Sequence, residues 1–260
     1  MHLFSSRFFR GARPAALVAL TLLAGCGRDL ESETVGLAAL ADRTLTWSLT
    51  DVDYFEGVEP EGSHRFTVTF SLAQDDRCTR LGEGVTATFN GAPMRLEPGG
   101  IDDTAGRGVC VPTRAFLDFD PNVWGQEPTE DARVVLQDGS ATVSLVLRGG
   151  KAKRRLAFQG AGDADRLTRG QTYTYQWQPA GEVPASVNAT LLREGGSAAA
   201  NIPLTQDAAR VSFTVPAGTP VANHLLTLSG SAPGTLLECT GVASCEGTVF
   251  HSEEIVVTVQ

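Results

Sequence analysis

Apolar side chains in this chain recur at every second position, in short runs separated by turns, and no helical spacing intervenes between them. "TLTWSLT" (44–50) puts Leu45, Trp47 and Leu49 on one face, and "HRFTVTFSL" (64–72) does the same with Phe66, Val68, Phe70 and Leu72. "VTATFNGAPMRL" (85–96) reads as a hairpin around Asn90-Gly91, residues that tolerate positive φ. "ARVVLQDGSATVSLVL" (132–147) reads as a second hairpin turning at Asp138-Gly139, its return arm burying Val143, Leu145 and Leu147. "GVCVP", "AFLDF" and "RRLAFQG" supply shorter strands, the last ending at Gly160.

The stretch "GAGDADRLTRG" (160–170) is small, polar and turn-rich, and marks a boundary. Alternation then restarts in "QTYTYQWQ", "ASVNATLL", "NIPLT", "ARVSFTVP", "HLLTLSG" and "EEIVVTVQ". Frequent Gly and Pro and scarce Met suit short strands joined by turns. The expected fold is all-β: two tandem β-sandwiches, over 43–160 and 161–260. The second half resembles Ig-like or fibronectin type III-like bacterial surface domains, through "GQTYTYQW" with its Trp, "VSFTVPAGTPVANHLLTLSG" and the closing "EIVVTV". That resemblance implies Ig-like sandwiches, with Trp177 in a core.

The N-terminus is of another kind. Residues 1–13 carry Arg7, Arg10 and Arg13, and 15–24 ("AALVALTLLA") are apolar, as in a secretory signal. Ten residues are too few for a transmembrane helix, which needs about 20. Leu23-Ala24-Gly25-Cys26 resembles the lipobox of bacterial lipoproteins. The resemblance implies a signal peptide over 1–25, cleavage before Cys26, and lipidation of Cys26. Two or three acyl chains there would anchor the protein durably, where one holds only reversibly. Gly27 lacks the Asp that favours inner-membrane retention in that family, which implies the outer membrane. Residues 26–42 have no strong apolar periodicity and are expected to form a flexible tether.

Set apart from Cys26, four cysteines remain, and an even number in an exported protein implies two disulfides. Three pairings are possible. Proximity favours Cys78–Cys110 and Cys239–Cys245; neither pair has zinc-ligand spacing. The net charge is −9, and residues 1–25 carry three Arg and no acid, so the remainder carries −12. Such a body repels phosphate, and no nucleic-acid partner is expected.

No catalytic residue is expected. The chain lacks H-E-x-x-H, a G-x-S-x-G elbow, a P-loop and a dinucleotide fingerprint. His64, His224 and His251 lie far apart in the sequence, within strand patterns, and are read as strand-surface residues. "DVDYFEGVEPEG" (51–62) reads as a solvated acidic loop. No cofactor is expected; Asp118 and Asp120, alternating near a turn, are weak calcium candidates. The Tyr173/Tyr175/Trp177 face is expected in a core, with a sugar platform as the alternative. Lys151, Lys153, Arg154 and Arg155 form either a solvated turn or a contact for anionic lipid. Together these features predict a membrane-anchored extracytoplasmic lipoprotein with a non-enzymatic binding or structural role in the bacterial envelope, its partner an envelope protein or a glycan. The alternatives are an accessory subunit of an envelope complex, a glycan-binding surface module or, last, a loop-built hydrolase.

Overall fold

The structure is a computed structural model that describes residues 31–55, 59–73, 77–104, 108–124, 126 and 128–260. Cys26 and the rest of residues 1–30 lie outside the described residues. The described chain is all-β, with one 3-10 turn (Leu37–Leu40) and one helical turn (Pro121–Trp124). No helix among the described residues is long and apolar enough to cross a membrane.

The alternating faces form two cores. Leu45, Trp47, Leu49, Phe66, Val68 and Phe70 pack against Val134, Leu136, Val143 and Leu145 in the first. Tyr173, Tyr175, Trp177 and Phe213 pack against Leu191, Leu226, Leu228 and Val257 in the second. Each core lies between two sheets, giving two β-sandwiches in tandem. The hairpin at Asn90-Gly91 forms as its residues demand, with φ of 48° and 85°. The hairpin over 132–147 runs in register from Ala132↔Leu147 to Gln137↔Thr142. Its turn is closed by Oδ1 of Asp138, which accepts the N–H groups of Ser140 and Ala141.

One sheet serves both sandwiches. The last strand, Ser244–Val259, pairs in parallel with Thr44–Asp53 of the first unit and antiparallel with Ala222–Pro233 of the second. At about 3.3 Å per residue these 16 residues span about 50 Å. Val249 lies in the first core, and Val257 and Val259 in the second. The strand Leu236–Thr240 also pairs within the first unit, with Cys239 opposite Leu145. The division expected at 160/161 therefore separates the middle of the chain but not its end, because residues 236–250 return to the first sandwich. Gly234 and Gly247 allow this return. A Cβ at either would run into Trp47, which lies against both positions.

Residues 26–30 of the expected tether lie outside the described residues, and over 31–42 that expectation is corrected. Glu31–Val35 pairs in parallel with Arg77–Leu81. Leu37 and Leu40, three apart, share one face of the 3-10 turn and are buried in the first core. Asp138 holds the turn in place, its Oδ2 accepting the N–H of Leu37 at 2.8 Å.

The body cysteines pair as Cys78–Cys110 and Cys239–Cys245. The first bridge staples the strand beside Glu31–Val35 to Val109–Val111. The second joins the two sheets of the first sandwich at the 240–244 turn. Loop-closure entropy makes Cys78→Ser cost about 4 kcal/mol for the 32-residue separation, and Cys239→Ser about 2 kcal/mol for the 6-residue one. Urea unfolding of the two single variants checks the order; equal losses would contradict it.

Candidate functional site

Along Thr44–Asp53 the core-facing residues are Leu45, Trp47, Leu49 and then Asp51. A carboxylate thus takes the last inward position of an apolar row. Its neighbours across the sheet are His64 on one side and His251 on the other. Each continues its own strand's core face, His64 in phase with Phe66 and His251 with Val249. Asp51 is 1% exposed and His251 0%. The row stands where the first core gives way to the second, with the Trp177 ring edge-on to His251.

Oδ1 of Asp51 lies 2.9 Å from Nδ1 of His64 and accepts from Nζ of Lys153 at 2.7 Å. Nδ1 of His251 lies 3.0 Å from the Asp51 carbonyl and 3.3 Å from its Oδ2. Nε2 of His251 faces Glu253 at 3.5 Å, and Nε2 of His64 faces Glu59 at 3.1 Å. Burial alone pushes the Asp51 carboxyl up, but the hydrogen bond from His251 and the charge of Lys153 outweigh it and hold the group at about 2. Burial pushes the His251 imidazole down, yet its hydrogen bonds to Asp51 and Glu253 raise it to about 9. Both groups are charged at neutral pH.

The basic run is part of this junction. Lys153 bridges Asp51 and Asp53, the second at 2.8 Å. Arg154 is buried, donating to the carbonyls of Gly150 and Ala152 and to Glu182. Glu182 in turn accepts from the Trp177 indole at 2.8 Å. Lys151 pairs with Glu130. Neither the solvated turn nor the lipid contact describes Lys153 and Arg154, which tie the two sandwiches together. Asp51, Asp53 and His64 are also the one grouping of three among the described residues whose ligand atoms converge within 4.8 Å. The Lys153 ammonium already lies against both of its carboxylates.

His64, His224 and His251 are buried rather than on strand surfaces, because each falls on the inward phase of its strand. Nδ1 of His224 lies 3.1 Å from the carbonyl of Ala222. Tyr173, Tyr175 and Trp177 form core, so the sugar-platform alternative fails at these residues. Among the described residues, Asp118 and Asp120 do not converge with other ligand groups on a cation site. Both oxygens of Asp118 accept from Arg65, and Oδ1 of Asp120 accepts the N–H of Asn122 at the helical turn.

Just beyond the junction, on the outer face of the shared sheet, lies an open cleft of about 730 Å³. Its floor is a row across three strands, Leu192 opposite Leu225 and Leu225 opposite Val256. Tyr54 and Phe55, immediately after the strand that carries Asp51 and Asp53, form one wall. The turn following Arg193 forms the other. Glu254 accepts the N–H of Phe55 at 3.1 Å, and Glu194 accepts from Asn223 at 3.2 Å, so both walls are tied to the sheet. Sequence reasoning placed Tyr54 and Phe55 in a solvated acidic loop. The adjacent aromatic pair was the available signal; the sheet face opposite it was not visible in the sequence.

No protein-family model matches the sequence, and no curated protein is detectably similar to it. Among solved structures, the chain is similar to the I9–I11 tandem from titin, at 9% identity and TM-score 0.23. It covers 84% of this chain and 64% of that one. It is also similar to domains 4 and 5 of the S-layer protein SbsC, at 13% identity and TM-score 0.23, over 84% and 99% of the two chains. A chimeric titin Z1Z2–Z1Z2 tandem is similar at 14% identity and TM-score 0.23, over 82% and 96%.

Proposed function

We propose that this protein is a lipid-anchored, extracytoplasmic binding module of the bacterial envelope, non-enzymatic, and carried at the outer membrane through Cys26. The cleft beside the junction supports the binding role: two tied walls flank an apolar floor, next to a buried ionic cluster that fixes the sandwiches. The lipobox supports the anchor, and so does the pairing of the other four cysteines, which leaves Cys26 as the odd one and suits an oxidising compartment. Glu31, where the first described strand begins, is the fifth residue after Cys26. At about 3.6 Å per residue, the body then starts within about 18 Å of the membrane surface. The first sandwich is held close, and the Cys78–Cys110 bridge reinforces the strand pair nearest the anchor. The described histidines are occupied by structural partners, which suits a non-enzymatic role.

The test is in cells. Wild-type chain is expected to sediment with membranes, with a mature N-terminal mass carrying acyl chains on Cys26, and Cys26→Ser to be soluble. A photoreactive phenylalanine analogue at position 55 is expected to form a discrete adduct that the same analogue at Thr205, on the distant sheet, does not form. An unmodified Cys26 overturns the anchor. Equal labelling from both positions overturns the cleft as the binding site.

A further inference from the structure

We propose that the ligand of this cleft is a saccharide chain. The inference rests on the binding-module reading above and names the ligand class of the same site.

The aromatic wall comes first. Tyr54 is 37% and Phe55 56% exposed, and among the described residues neither ring stacks on another aromatic. Two adjacent rings left in water at the rim of a concave surface forgo burial that the rest of the chain exploits. They are not loose: the Phe55 N–H is fixed to Glu254, so the wall stands at a set position over Leu225 and Val256.

The polar complement comes second. Glu254 and Glu194 each use Oε2 for the tie that holds a wall, and each has a second carboxylate oxygen. Arg193 borders the cleft but shares the core-side phase of its strand with Ala189 and Leu191, so its side chain is not counted among the groups the cleft presents. The cleft therefore offers two acceptor groups beside an aromatic wall.

These features discriminate among ligand classes. A wholly apolar ligand would strip water from two carboxylates with nothing in return. A peptide adding itself as a strand needs a free backbone edge, but the floor residues lie on strands already paired to one another. A phosphate-rich ligand would meet two glutamates on a body of charge −12. A pyranose ring fits both surfaces. Its C–H face is apolar and weakly electropositive, and packs on the electron-rich face of Tyr or Phe. Its hydroxyls donate to carboxylate oxygens. A volume of about 730 Å³ accommodates a short oligosaccharide rather than a single small ion.

The experiment titrates the full-length protein, in mild detergent, with gluco-, manno-, galacto- and chito-configured hexasaccharides by calorimetry. At least one is expected to bind saturably. Phe55→Ala is expected to weaken that binding about tenfold, and Phe55→Trp to retain it. Glu254→Gln is expected to weaken it as well, and Thr205→Ala to leave it unchanged. Thermal melting of Phe55→Ala is expected to match wild type, since the ring is exposed. No heat from any of the four sugars at millimolar concentration overturns the proposal, as does binding that Phe55→Ala leaves intact. If position 55 forms its discrete adduct in cells while the titrations are silent, the binding role stands and the saccharide is wrong. If both fail, the cleft is not a binding site.

Discussion

Asp51→Ala is expected to destabilise the protein by about 3–5 kcal/mol, the cost of removing one partner from a buried ion pair. The carboxylate is the common counter-charge for His251 and Lys153, and it lies 2.9 Å from His64. Without it, a fully buried imidazolium and a half-buried ammonium share Glu253 and Asp53, which sit at the edge of the cluster. Asp51→Asn should cost less, because an amide oxygen still accepts from Lys153. The loss also has a pH signature. His251 is raised from 6.5 to about 9 by folding, so its contribution is complete below pH 6.5 and disappears as pH rises through 9. Asp51 is lowered from 3.8 to about 2, so its contribution is complete above about pH 4 and disappears as pH falls through 2. The gap between wild type and Asp51→Ala should therefore be widest from about pH 4 to 6.5 and narrow on either side. Urea unfolding at pH 3, 5.5, 7.5 and 9.5 measures it. A gap constant with pH would show that the pair is not ionised as described.

Gly247→Val should be comparably damaging, by about 3 kcal/mol or more, for a steric reason. A side chain there would overlap the carbonyl oxygen of Trp47 on the neighbouring strand and stand 2.6 Å from Cδ2 of its indole. Backbone cannot step aside cheaply in the middle of a ten-residue parallel ladder. Gly218→Ala is the control, since a Cβ there meets nothing within 4 Å. Because Ser244–Val259 contributes to both cores, the damage should not stay in one sandwich. Indole fluorescence from the three tryptophans and far-ultraviolet dichroism should both report one transition, shifted together by Gly247→Val. Two separated transitions in the wild type would show that the shared strand does not couple the units.

Both variants lie where local pattern and tertiary arrangement diverge. The strand containing Trp47 was legible over 44–50, where apolar and polar residues alternate, and not over 51–53, where Asp51 takes an inward position. The strand containing Gly247 was legible only from Glu253 onward. Its earlier half, "SCEGTVFHS", interrupts the alternation with Gly247 and a polar His251. Those residues are inward-facing all the same. Glycine is there to admit an indole from another strand, and histidine to meet an aspartate 200 residues away. Leu37 and Leu40 show the same effect on a smaller scale. Two leucines in a stretch without strong apolar periodicity look like tether until the hairpin turn at Asp138 provides the N–H acceptor and the first sandwich the apolar surface.

By itself, the sequence determined the all-β class, the two cores, the Asn90-Gly91 turn and the favoured disulfide pairing. Each depends on neighbours close along the chain: period-two burial, positive φ at a turn, or short loop closure. Only the tertiary structure decided that residues 236–250 rejoin the first sandwich, that Lys153 and Arg154 bind the units together, and that Tyr54 and Phe55 face Leu192, Leu225 and Val256 across a cleft. Those are pairings between segments from 28 residues apart (Arg154 and Glu182) to about 200 (Asp51 and His251), and one strand's pattern says which face it buries but not which partner covers it.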